Sequence, residues 1–263
     1  MTGAMTDLLA QLMATGNTAL AAGFVVFLRV GAVMATLPAF GEHSVPQRVR
    51  LMLTLAFTAI VFPAVADDVL ARLAGRPPPV PVLLAEITTG LALGMALRLF
   101  VAVLQTAGSI AAQSTSLAQI LGSAGVEPMP AMGHLMVVSG LAVAVMSGLH
   151  LRVSEALIGS YTVFPPGVFP SPAALSEWGI ARVAATFAFA FSLAAPFVIA
   201  SFIYNLALGV INKAMPQLMV AFVGAPAITA GGLLLLLLTL PIILPLWNRA
   251  FATFLANPFG AGP

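Results

Sequence analysis

Apolar residues fill this chain in six long blocks, at about residues 19–40, 51–66, 82–104, 131–149, 183–211 and 218–247, and polar residues gather in the breaks. None of the blocks alternates with a period of two, so each reads as a helix that is apolar all round rather than as a half-buried strand. At about 1.5 Å per residue the first, third and fourth blocks match a hydrocarbon core of roughly 30 Å. The second is short for a span and contains Pro63. The fifth reaches about 43 Å, so it must tilt, kink at Pro196 or project from the bilayer. Lipid-exposed strands leave backbone groups unpaired. The fold class is therefore an all-α integral membrane protein, a single membrane domain over residues 1–263 with long helical hairpins.

The breaks differ in character. "GEHSVPQRVR" (41–50) is a charged connection, and "DDVLARLAGRPPPVP" (67–81) is expected as an aqueous loop because it combines charge with a proline run. The segment "QTAGSIAAQSTSLAQILGSAGVEP" (105–128) is polar but carries no charge until Glu127. Its Gln105, Gly108, Gln113, Ser114, Thr115 and Gly122 suit a buried or pore-facing re-entrant element, in which uncharged groups pair with backbone or water. An exposed loop of small residues is the plainer reading.

Composition sharpens the membrane assignment. The chain has 263 residues, of which 60% are hydrophobic and 7% charged, against roughly 25% charged in soluble domains. A net charge of +2 gives no basis for nucleic-acid binding. Cysteine is absent, which excludes disulfides, thiolate metal sites and a thiol nucleophile. The first basic residue is Arg29, so no basic segment precedes the first block and a cleaved signal peptide is not expected.

Candidate chemistry is sparse. His43, His134 and His150 have no metal-ligand spacing, and no phosphate-binding or zinc-protease motif occurs. Ser154 and Glu155 beside His150 point in different directions on a helix and read as a solvated face. No catalytic residues, metal or cofactor are expected, and the chain is not read as an enzyme. Arg29, Glu86 and Arg98 lie within or at the edges of apolar blocks, where a bare charge costs about 2.5–3.5 kcal/mol on insertion scales. They are expected buried and paired, Glu86 with Arg29 or with Arg98, and stand as a buried pair fixing helix register, as snorkelling side chains, or as a proton or ion relay. Glu86 and Arg98 lie about 18 Å apart along one helix and cannot pair within it. Gly90 and Gly94 form a GxxxG pattern for close helix approach.

Two stretches carry a family resemblance. "FLRVGAVMATLPAFGEHSVPQRVRLMLTLAF" (27–57) combines an arginine in the first span with Pro38, Gly41, Pro46, Arg48 and Arg50. "LGVINKAMPQLMVAFVGAPAITAGGLLLL" (208–236) carries an Asn-basic-x-x-Pro-Gln turn, Asn212, Lys213, Pro216 and Gln217, before a long apolar helix. The chain resembles the FliR family of flagellar export-gate proteins over nearly its whole length, with Lys213 where the family usually has arginine. The resemblance implies a non-enzymatic core subunit of the type III export gate in the bacterial inner membrane at the flagellar basal body. Its implied partners are the siblings FliP and FliQ, other export components, unfolded flagellar substrates and the lipid bilayer. It also implies that the uncharged segment from Gln105 to Gly125 plugs the pore. A virulence injectisome gate subunit and a secondary transporter or channel are the alternatives.

Overall fold

The computed structural model describes residues 2–41, 45–115, 131–215 and 220–260, and every regular element among them is helical. In chain order these are α1 (Thr2–Thr36), α2 (Gln47–Leu73), α3 (Val80–Thr115), α4 (Ala131–Met146), α5 (Leu149–Val163), α6 (Pro172–Ala214) and α7 (Val220–Ala256). Among the described residues, five helices are long and apolar enough to cross a membrane, or up to six if α4 and α5 count as one broken span. The break falls at Ser147 and Gly148, where Gly148 takes φ +80°, a conformation glycine adopts without steric cost.

Several boundaries differ from those read in the sequence. The expected loop at 67–81 is mostly helix, since α2 runs on through Asp67, Asp68 and Arg72 to Leu73. Ala74 and Gly75 then turn left-handed, at φ +46° and +73°, and the three prolines at 77–79 separate α2 from α3. Charge at a helix end faces water without breaking the hydrogen-bond ladder, which is why composition placed this boundary too early. Residues 105–115 likewise continue α3, while the rest of the proposed plug, with Gly122, lies outside the described residues. Pro63 and Pro196 sit inside α2 and α6.

By its internal contacts the chain divides into two compact units. The first comprises residues 1–98, 148–180 and 252–263. In it α1 packs on α2, and α2 on α5. The inner stripe of α2 is Thr54, Phe57, Thr58, Val61, Val65, Val69 and Leu73, a spacing of three and four that places one face inward. Gly90 and Gly94 bring α3 onto α1. A Cβ on Gly90 would fall on the Arg29 carbonyl oxygen and within 2.8 Å of the Ala32 Cβ, and one on Gly94 would fall on the Thr36 hydroxyl. The close approach expected of the GxxxG pattern is thus made within the chain.

The second unit comprises residues 99–147 and 181–251. Trp247 is fully buried; its indole N–H donates to the Phe100 carbonyl at 2.8 Å, and its ring stacks on Phe251 at 5.2 Å. α3 and α4 meet at Gly108, where a Cβ would collide with the backbone of Gly133. The Ser201 hydroxyl donates to the Ser114 carbonyl, tying α6 to the end of α3.

Candidate functional site

The most polar cluster in the interior of the first unit is built on Arg29 and Glu86, both of them 0% exposed. Arg29 comes from α1, about two turns before its C-terminal end, and Glu86 from the second turn of α3, four residues before Gly90. The glycine contact therefore sets the helix spacing at which the two side chains meet. Arg29 Nε and Nη2 donate to Glu86 Oε2 and Oε1 at 2.8 and 3.0 Å, the bidentate fork that a guanidinium makes with a carboxylate. Arg29 Nη1 donates to Ser160 Oγ and Nη2 to the Phe164 carbonyl, each at 3.0 Å. The guanidinium carbon lies 3.6 Å from the centroid of the Tyr161 ring, a cation–π contact strengthened by the burial of both side chains.

Glu86 is equally saturated. Its Oε2 also accepts from the Tyr161 hydroxyl at 3.1 Å, and its Oε1 from the Gly167 backbone N–H at 2.9 Å. A carboxylate offers about four lone-pair sites, and all four meet donors. Gly167 reaches this position at φ +70°, and a Cβ there would press to 2.7 Å on Val82. The cluster thus joins α1, α3, α5 and the turn at 164–167. With every lone pair of the carboxylate engaged, it has the geometry of a fixed ion pair.

The other sequence candidates separate from this cluster. Arg98, expected buried, is exposed. Twelve residues past Glu86 on a helix is a turn of about 120° away from the inner face, so it reaches neither Glu86 nor the core. Among the described residues it has no hydrogen-bond or ion-pair partner. Gln105 and Ser114 are half-buried, Gly108 is buried and Gln113 is exposed on α3; Thr115 is the last residue of that helix. Asn212 and Lys213 are exposed in the last turn of α6, where a cation favours the helix dipole. Pro216 and Gln217 lie outside the described residues, as does His43. Ser154 donates to the His150 carbonyl at 2.9 Å on the outer face of α5, which is a helix-surface contact. No group of three or more metal-ligating side chains occurs among the described residues.

Four partners in the cluster were not singled out from the sequence: Ser160, Tyr161, the Phe164 carbonyl and the Gly167 amide. The available signal was weak. Tyr161 is one of two tyrosines in the chain, and the "FPPG" turn just after it announces a fixed backbone. Arg50 also gains a role, because its Nη2 donates to the Gly41 carbonyl at 3.1 Å and closes the connection after α1. A Cβ on Gly41 would come within 2.8 Å of the Leu37 carbonyl.

The second unit presents apolar surface instead of a polar site. α6 exposes Phe187, Phe191, Ile199, Phe202, Leu206 and Val210. α6 and α7 line a cleft of about 260 Å³ that includes Phe197, Tyr204, Ile228, Gly231 and Leu235.

The family model for bacterial export proteins, family 1, matches residues 20–254. The chain is 32% identical over 238 residues to the flagellar biosynthetic protein FliR of Caulobacter vibrioides, covering 88% of this chain and 92% of that one. It is 29% identical over 238 residues to the protein of the same name from Escherichia coli, covering 86% of each. For the one from Bacillus subtilis the identity is 25% over 239 residues, covering 86% of this chain and 89% of the relative.

Proposed function

The chain belongs to the bacterial export proteins, family 1, and from that membership we propose that it is a membrane subunit of the flagellar protein export apparatus. In this reading it is a non-enzymatic core component of the type III export gate. It sits as a multi-pass protein in the inner membrane at the flagellar basal body. With the siblings FliP and FliQ it forms part of the conduit for unfolded flagellar proteins, residues 1–263 acting as one membrane domain. The observation that carries the proposal is a family match extending over residues 20–254 and not over one motif.

The second unit supports an assembled rather than a solitary life. Between Val183 and Asn212 α6 carries no charge and extends for about 45 Å, against roughly 30 Å of hydrocarbon. Lipid cannot cover all of that length, so the exposed phenylalanines and aliphatics call for protein partners. Co-expression with FliP and FliQ is expected to raise the yield of this chain severalfold in mild detergent and to bring all three through purification together. A stable homodimer that supports export without either sibling overturns the proposal.

The plug is tested separately. Its beginning, up to Thr115, extends α3, and the uncharged residues that follow supply the closure in this reading. Deleting residues 110–120 is expected to make membranes holding the assembled gate leak ions and small solutes, measured as dye or ion flux. Unchanged permeability removes the plug while leaving the family role intact.

A further inference from the structure

Beside the buried cluster, the first unit carries an open cavity of about 290 Å³ lined by Asp68, Arg72, Tyr161, Pro165, Pro166 and Val168. Asp68 and Arg72 stand one turn apart on α2 with the acid first, an order that favours an ion pair along a helix. They nevertheless make no ion pair or hydrogen bond, with each other or with any other described residue. Both are exposed. A free carboxylate and a free guanidinium on one cavity wall complement a small zwitterion, whose ammonium donates to the first and whose anionic oxygens accept from the second.

Position selects the source of that zwitterion. The charge-free part of α2, Leu51 to Ala66, covers about 24 Å, and Asp68 and Arg72 follow directly after it. They therefore stand at the level where lipid headgroups meet the hydrocarbon. Below Asp68, at intervals of four residues, the same face carries Ala64 and Ile60, both exposed, Ile60 by 57%. These form an apolar track in line with the cavity. The volume lies just under the range of roughly 300–1,000 Å³ for whole ligand sites, which suits a headgroup whose chains remain outside.

We propose that this cavity binds the phosphoethanolamine headgroup of a zwitterionic membrane lipid. The phosphate sits on Arg72, the ammonium on Asp68, and an acyl chain lies along Ala64 and Ile60. Tyr161, which also lines the cavity, covers Arg29 and donates to Glu86, so the bound lipid abuts the cluster that joins α1, α3 and α5.

The test uses the full chain, extracted in mild detergent with whatever subunits accompany it. It is placed in nanodiscs of equal phosphatidylethanolamine and phosphatidylglycerol, and the lipids that stay bound are read by native mass spectrometry. Each charge-assisted contact is worth about tenfold in affinity, so phosphatidylethanolamine is expected enriched about tenfold or more. Asp68→Asn removes most of that enrichment. Arg72→Gln, whose phosphate contact both lipids share, lowers the amount of either lipid retained about tenfold while keeping the ratio, and the double variant returns both to the bulk level. Arg76→Gln, a basic residue nearby but outside the cavity lining, keeps the enrichment. Unchanged unfolding temperatures in these surface variants separate lost binding from lost fold. An unenriched wild type, a preference for phosphatidylglycerol, or enrichment that survives in the double variant overturns the proposal. Full displacement by soluble phosphoethanolamine at millimolar concentration overturns the membrane source.

Discussion

Arg29→Ala is expected to lower the stability of the folded chain by about 3–5 kcal/mol, the cost of breaking a buried ion pair by removing one partner. The loss exceeds that of a surface pair because Glu86, 0% exposed, would be left buried among apolar neighbours with its fork of donors gone. Ser160 and the Phe164 carbonyl lose their donor in the same step. Arg29→Lys rescues little, since an ammonium cannot donate along two parallel bonds to one carboxylate while also reaching Ser160 and Phe164. The double change Arg29→Met with Glu86→Leu is the informative control. It removes both charges and keeps side-chain volume, so it should recover much of the loss. Unfolding midpoints in detergent, with helicity as the signal, check all three. An alanine variant that unfolds at the wild-type temperature rules out a stabilising role for the pair.

Gly90→Ala is the second large effect. A single methyl group there meets the Arg29 carbonyl oxygen, a backbone atom that cannot swing aside. Overpacking of this kind costs about 1–3 kcal/mol, and here it also pushes α1 away from the carboxylate that Arg29 must reach. Gly94→Ala behaves similarly against Thr36 and the Val33 backbone. Gly23→Ala on α1 meets nothing within 4 Å and is expected to stabilise by about 0.4–1 kcal/mol through the unfolded chain. The opposite signs at Gly90 and Gly23 distinguish helix packing from helix propensity. If both substitutions shift the unfolding midpoint upward, the α1–α3 contact is not tight.

The helices were legible because continuous apolar runs in lipid leave one backbone solution. Their ends were less so. The helical ladder of α2 ignores the change from Ala66 to Asp67, and α3 ignores the change to polar residues at Gln105, because hydrogen bonding along the backbone does not depend on side-chain polarity. The ion pair was half legible. Charge cost alone demanded a partner for Glu86 and offered two, Arg29 and Arg98. The choice between them rested on rotation about α3, which the Gly90 contact fixes and composition does not express. Ser160 and Tyr161 could not be found this way, since a lone hydroxyl on a helix has no expense that forces a partner.

The separation of Arg29 from Glu86 along the chain, 57 residues, makes the ion pair a matter of timing during synthesis. At about 5–20 residues per second, the carboxylate follows the guanidinium by roughly 3–11 s. Throughout that delay α1 carries an unpaired cation whose transfer into lipid costs about 2.5–3.5 kcal/mol, offset only by the apolar residues around it. Pairing therefore stabilises the first helix in the bilayer only once the third has arrived. Ser160 and Tyr161 follow later still and seal the pair in place.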